Sequence, residues 1–266
     1  MTMDIKALFF DIDGTLVSFK THTIPQSTVD SLRLAKQQGV KVYIATGRPR
    51  PIIVNIGQIS DLVDGYITTN GAWCVVGDEV VSRHSMLQHD VQTILDACEQ
   101  WNAPCIAVGE KHLAVYNDQP VVDASFREGL GLETFKFAPL DDVLQETILQ
   151  MTPFITPQQE QELMPRLQAC THGRWTPMFT DITHRHADKG KALRAMAAHQ
   201  QLTIAQTMAF GDGGNDVAMI REAGIGVVMG NANDAVKANA DFITTSVDED
   251  GIRHALRHFQ VIPSAE

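Results

Sequence analysis

Two carboxylates stand two residues apart where a short apolar run gives out, in Phe9-Phe10-Asp11-Ile12-Asp13-Gly14-Thr15-Leu16. In extended backbone, residues i and i+2 project to the same side, so the spacing predicts that Asp11 and Asp13 face one small volume. Two unpaired carboxylates there repel each other. A hard divalent cation relieves that repulsion, and Mg²⁺ characteristically takes one or two carboxylates, waters and substrate phosphate oxygens. Taken alone, the same four residues read equally well as a turn at a strand end.

They are not alone. Ala45-Thr46-Gly47-Arg48-Pro49 follows another apolar run and supplies a hydroxyl, a glycine amide and a guanidinium, all donors to phosphate oxygens by type. Thr207-Met208-Ala209-Phe210 leads into Gly211-Asp212-Gly213-Gly214-Asn215-Asp216, a second set of metal-ligand side chains beside helix-start amides able to hold an anion. Asp188-Lys189-Gly190-Lys191 opens a predicted helix and offers Lys189 as a point charge, although a single lysine is most often a solvated surface group.

These segments work together only if the fold brings them to one place. Lys6 to Phe10, a helix over Thr28 to Gln38 closed by Gly39, and a strand over Val40 to Ala45 make one βαβ unit. Such units imply a parallel sheet whose functional groups collect beyond the carboxyl ends of its strands. A strand over Gly65 to Thr69 and a hairpin turning near Gly77-Asp78 follow. From about Arg83 to Arg185 helices and strands mix without strict alternation, ending in a strand predicted over Trp175 to Thr183. Alternation resumes at Asp188. The predicted architecture is α/β, a doubly wound parallel-sheet core over 1–82 and 187–266 with an α+β domain inserted over 83–186.

Composition bounds the reading. The chain has 266 residues, 44% apolar and 20% charged, enough for a packed core and unlike a disordered or rod-like protein. A net charge of -11 repels nucleic acid and anionic membranes, so neither is expected as a partner, and an anionic substrate would need a local positive field. No signal-peptide core and no run of about 18 apolar residues is found. Cys74, Cys98, Cys105 and Cys170 form no C-x-x-C pair and read as buried small hydrophobes, which points to the cytoplasm. The glycines of Gly224 to Gly230 span a strand, unlike a dinucleotide fingerprint, and the histidine pairs His184/His186 and His254/His258 lack a neighbouring H-E pair.

In order, D-I-D-G-T-L, A-T-G-R, D-K-G-K-A-L and G-D-G-G-N-D resemble the four motifs of the haloacid dehalogenase superfamily, and the insertion between the second and third looks like its Cof-type, C2B-capped branch of sugar-phosphate phosphatases. The resemblance implies a Rossmann-like core and a phosphoric monoester hydrolase acting on small phosphorylated metabolites, hexose phosphates foremost. It makes Asp11 the nucleophile and Asp13 the acid/base. It gives Thr46, the Gly47 amide, Lys189, Asn215 and Arg48 to the phosphate or substrate. Asp11, the Asp13 carbonyl and Asp212 would bind Mg²⁺, with Asp216 orienting the site beside them.

The chemistry supports a full set: acceleration of phosphate-monoester hydrolysis reaches ~10²¹-fold, whereas one general acid contributes only ~10²- to 10⁴-fold. The remainder must come from charge stabilisation and in-line positioning. A phosphosugar mutase of the same superfamily is the alternative enzyme. A phospho-acceptor signalling domain is the non-enzymatic one, disfavoured by the hundred-residue insertion. Arg174 and Trp175 in the insert are candidates either for substrate contact or for packing.

Overall fold

The computed structural model describes residues 4–128, 130–132, 134–174 and 176–264. The chain begins with β1 (Ala7–Phe10), α1 (Gln26–Gln37), β2 (Lys41–Ala45), β3 (Gly65–Thr68), β4 (Trp73–Val76) and β5 (Glu79–Arg83). It continues through α2 (Gln88–Gln100), β6 (Cys105–Gly109), β7 (Leu113–Tyr116), α3 (Pro120–Val122), α4 (Leu140–Val143), β8 (Ile148–Pro153), α5 (Pro157–Leu163), β9 (Cys170–Gly173) and β10 (Asp181–His184). It closes with α6 (Lys189–His199), β11 (Thr207–Gly211), α7 (Val217–Glu222), β12 (Ile225–Val228), α8 (Asp234–Lys237), β13 (Phe242–Ile243) and α9 (Gly251–His258).

Two compact units result. The first comprises the described residues up to Gly47, Ile53–Arg83 and those from Asp188 onward; the second comprises Arg48–Ile52 and His84–Ala187. An eight-stranded sheet runs β13-β12-β11-β1-β2-β3-β4-β5 in the first unit. It is parallel from β13 to β3, with β4 and β5 antiparallel at one edge.

The strands of the parallel part are apolar on both faces, as strands covered by helices on both sides must be. Leu8 and Phe10 of β1 point into one core with Val42, Ile44, Met208 and Phe210, where α1 brings Val29, Leu32 and Ala35 and α9 brings Ile252, Ala255 and Leu256. Ala7 and Phe9 point into the other with Tyr43 and Ala209, against Leu193 and Met196 of α6 and Met219 of α7. Ring stacking ties the central strands: Phe9 on Tyr43 at 4.9 Å and Phe10 on Phe210 at 4.6 Å between centroids. Gly39 follows α1 with φ of +79°, the left-handed residue that lets the chain turn directly into β2.

The second unit holds an antiparallel sheet in the order β7-β6-β8-β10-β9. β6 alternates: Cys105 and Ala107 pack with Ile94 and Cys98 of α2, and Ile106 and Val108 pack with Val122, Phe126 and Phe179. One strand differs from expectation. The stretch predicted to run from Trp175 to Thr183 is strand only from Asp181, and Cys170–Gly173 forms the strand that pairs with it. Pro177, which has no N–H to give a ladder, lies between them. Trp175 itself lies outside the described residues. No helix among the described residues is long and apolar enough to cross a membrane.

Candidate active site

The site grows from the sheet order. β1 lies between β11 and β2, so the chain leaves it in one direction and returns on its other side, which opens a crevice beyond the carboxyl ends. The ladders continue just past the strands: Asp11 N donates to Phe210 O at 3.0 Å, and Thr46 N donates to Ile67 O at 2.8 Å. The residues after β1, β2, β3 and β11 therefore start at one edge.

At the floor of this edge lies a buried charge cluster. Asp188 caps α6, its carboxylate accepting from Lys191 N at 2.8 Å, which makes Lys189 the first helical residue and aims it back at the sheet. Lys189 Nζ donates to Asp11 Oδ1 at 2.8 Å and to Asp216 Oδ1 at 2.6 Å. Exposure is 1% for Lys189, 0% for Asp216 and 7% for Asp11, so this lysine is the opposite of a solvated surface group. Burial by itself would lower the Lys189 ammonium, but the two carboxylates outweigh it and hold the group above its usual range. The second oxygen of Asp216 accepts from Asp212 N at 3.1 Å and Gly213 N at 2.9 Å, which fixes the loop after β11 onto the same carboxylate.

Asp212 is the third acid. Its Oδ1 accepts from Thr15 Oγ1 at 3.0 Å and its Oδ2 from Asn231 Nδ2 at 3.2 Å. Asn231 Nδ2 also donates to Gly14 O at 2.9 Å, while its Oδ1 accepts from Val247 N at 3.0 Å. Gly14, at φ of +86°, is required: a Cβ there would stand 2.2 Å from Asp212 Oδ2.

The fit to a divalent cation follows from the donor set. One oxygen each of Asp11, Asp212 and Asp216 lies within 4.8 Å of the others, and these acids outnumber the Lys189 ammonium that bonds two of them. Burial, then the charge of Asp216, pushes the Asp11 carboxyl well up from its usual range, with Lys189 acting against the shift. The same two causes push Asp212 up to about 6, with Asp13 among the charges that raise it. Carboxylates crowded this way are relieved by a hard cation.

A second loop cluster borders the acids. Thr46 is buried, and its carbonyl accepts from Asn70 N at 3.1 Å. A Cβ on Gly47 would stand 3.1 Å from Asn70 Oδ1, and Asn215 Nδ2 donates to that oxygen at 3.0 Å. Asn70 sits on a left-handed turn with Thr69 and Gly71, at φ of +52°, +54° and +96° in chain order. For the β-branched Thr69, buried and with its hydroxyl lacking a hydrogen-bond partner among the described residues, that conformation is strained.

Among the expected site residues, Asp11, Lys189, Asp212 and Asp216 thus converge directly. Thr46, Gly47 and Asn215 meet through Asn70, and Asp13 pairs with Val17 in an isolated bridge beside Gly14. Arg48 groups with the second unit, where its guanidinium donates to Ile52 O at 3.4 Å. Arg174 is held by Glu160 at 2.8 Å and by the carbonyls of Ile155 and Pro177, the packing alternative. Sequence reasoning gave no role to Thr15, Asn70 or Asn231. The Asn-Gly dipeptide at 70–71 is a turn signal that marks Asn70, whereas Asn231 carries no local signal.

Known proteins share this fold. A solved haloacid dehalogenase subclass IIB sugar phosphatase, BT4131, superposes with a TM-score of 0.88 at 44% identity, covering 97% of this chain and 100% of that one. BT1666 from Bacteroides thetaiotaomicron, among the phosphatases of that superfamily, gives a TM-score of 0.86 at 32% identity over 97% of this chain and 96% of its own. The 5-amino-6-(5-phospho-D-ribitylamino)uracil phosphatase YcsE of Bacillus subtilis (strain 168) is 29% identical over 258 residues, covering 97% of this chain and 96% of that protein. The family profile of haloacid dehalogenase-like hydrolases matches residues 8–256, and with the acids, the lysine and the sheet edge in that arrangement, the chain belongs to this family and is one of its phosphatases.

Proposed function

We propose that the chain is a Mg²⁺-dependent phosphatase that hydrolyses small phosphorylated metabolites, hexose phosphates foremost, through an aspartyl phosphate on Asp11. The observation that carries this reading is the buried contact of Lys189 with both Asp11 and Asp216, in a group of acids that outnumbers the ammonium among them. Asp11, the Asp13 main-chain carbonyl and Asp212 would hold Mg²⁺. Asp216, both of whose oxygens are already engaged by Lys189 and by backbone N–H groups, acts by orienting its neighbours. When bound, the ion supplies positive charge to the phosphoryl oxygens.

Thr46, the Gly47 amide, Lys189 and Asn215 would bind the transferring phosphoryl group, and Arg48 is a candidate substrate contact. A carboxylate oxygen of Asp11 attacks phosphorus, the bond from phosphorus to the sugar oxygen breaks, and Asp13 gives its proton to that departing oxygen. Water then attacks the phosphorus of the aspartyl phosphate while Asp13, now a carboxylate, takes the proton of the water. The bond to Asp11 breaks, inorganic phosphate leaves, and both acids are restored.

The test is phosphate release from a panel of phosphorylated sugars, nucleotides and cofactors, with Mg²⁺ and with chelator. Hexose phosphates are expected to be hydrolysed only with Mg²⁺, and Asp11→Asn is expected to reduce turnover to background while its thermal melt stays cooperative. Near-normal kcat in Asp11→Asn removes Asp11 as nucleophile.

A further inference from the structure

Phe19 is 64% exposed, more than any other large hydrophobic residue among the described residues. Its surroundings are not those of a loose loop. Ser18, before it, donates through its hydroxyl to Asp248 at 2.6 Å, and Lys20, after it, forms an ion pair with the same carboxylate at 2.9 Å. The Ser18 hydroxyl also accepts from Lys20 N at 3.0 Å and Thr21 N at 3.3 Å, and Ser18 N closes the turn onto Thr23 O at 3.1 Å. Both neighbours are therefore tied down while the aromatic ring between them is presented to solvent.

The ring stands beside the acids. A Cβ on Gly14 would meet Phe19 Cε2 at 2.7 Å and Asp212 Oδ2 at 2.2 Å, so ring edge and carboxylate both lie next to the same point. Held by the turn on both sides and set beside the site, the ring is positioned to contact a molecule bound there.

In-line geometry says what that is. In-line attack sets the breaking bond on the side of phosphorus opposite the Asp11 oxygen, and Asp11 is 7% exposed where Phe19 is 64% exposed, so the leaving group is assigned to the solvent side. An aromatic face offers dispersion contact and a negative quadrupole to an apolar, weakly positive surface, and the C–H face of a pyranose or furanose ring is such a surface. Resting on the phosphatase reading above, we propose that Phe19 is a specificity-determining residue that stacks on the sugar ring of the leaving group.

The experiment measures kcat/KM for glucose 6-phosphate, fructose 6-phosphate and ribose 5-phosphate, and for acetyl phosphate, which has no ring, in wild type, Phe19→Ala and Phe19→Trp. In Phe19→Ala the ratio of the best sugar phosphate to acetyl phosphate is expected to fall roughly three- to tenfold, carried mainly by KM of the sugar phosphate, and Phe19→Trp is expected to keep it. A ratio unchanged in Phe19→Ala overturns the inference. So does wild-type turnover of acetyl phosphate with none of the sugar phosphates, which leaves phosphatase chemistry on Asp11 standing and removes only the sugar phosphates as its substrates. Phosphate released from none of the four compounds overturns both.

Discussion

The ammonium of Lys189 lies 2.8 Å from the carboxylate of Asp11, 178 residues away in the chain, and both groups are buried. A lysine in that position cannot be removed without taking from Asp11 and Asp216 the ammonium that both bond in the interior. Truncating one partner of a buried pair typically costs about 3–5 kcal/mol, because the remaining charge stays desolvated.

Lys189→Met is therefore expected to lose roughly that much stability in urea unfolding with chelator present. Added Mg²⁺ is expected to restore part of it, since a cation that binds only the folded state stabilises it by mass action. A variant as stable as wild type with chelator would show that the lysine is not offsetting the buried acids.

Asn231 connects three things that sequence separates widely: the Gly14 carbonyl, the Asp212 carboxylate and the Val247 N–H. It touches Asp212, a proposed ion ligand, without being one itself, and partners of this kind typically contribute about 10- to 100-fold to metal affinity. Asn231→Ala is expected to raise the Mg²⁺ concentration for half-activation by about that factor, with kcat at saturating Mg²⁺ largely retained. A Mg²⁺ titration of phosphate release checks it; an unshifted midpoint removes Asn231 from ion binding.

Three histidines of the second unit gather close to where the chain enters and leaves it. The ring of His184 lies 6.0 Å from that of His84 and 5.1 Å from that of His186, and its Nδ1 accepts from His186 N at 3.2 Å. Burial comes first in holding His184 below its usual pKa, followed by His186, His84 and Arg185, with Asp90 acting the other way. The hydrogen bond to Nδ1 also favours the neutral ring. Because the folded state resists a proton that the unfolded chain accepts near pH 6.5, stability is expected to fall as pH drops below about 6.5 and to level off once the folded group titrates. Urea unfolding at pH 7.5 and pH 5.5 measures the drop, and His184→Gln is expected to reduce it. An unaltered drop in His184→Gln assigns it to other groups.

How far the sequence could be read depends on where each signal lives. Strands buried on both faces, such as Ala7–Phe10 and Lys41–Ala45, announce themselves as apolar runs, and Gly39 marks the end of α1 because only the left-handed region lets the chain turn there. Asp11 and Asp212 stand out only together, since either acidic segment alone reads as a turn at a strand end and two of them on neighbouring strands do not. Lys189 was visible only through its motif, since nothing local distinguishes a buried lysine from a solvated one. Asn231 and Thr15 were hidden, because their roles consist of contacts with Asp212 made in three dimensions. The strand at Cys170–Gly173 was missed because its residues are half-exposed or exposed at the sheet edge and carry no alternation.

Gly14 joins these two kinds of information, since its type is plain in the sequence while the reason for it lies in space. Its φ of +86° is costly for any residue with a Cβ, and that Cβ would press on Asp212 Oδ2 and on Phe19. Gly14→Ala must therefore shift the turn or push Asp212 off the Thr15 and Asn231 hydrogen bonds that aim it at Asp11. The expected result is a loss of about 1–3 kcal/mol in stability together with weaker Mg²⁺ activation. Calorimetry with chelator reads the first and a Mg²⁺ titration of turnover reads the second. If stability falls while the Mg²⁺ midpoint stays where it was, the turn has absorbed the methyl group on its own, and Asp212 is held more firmly than its two side-chain partners account for.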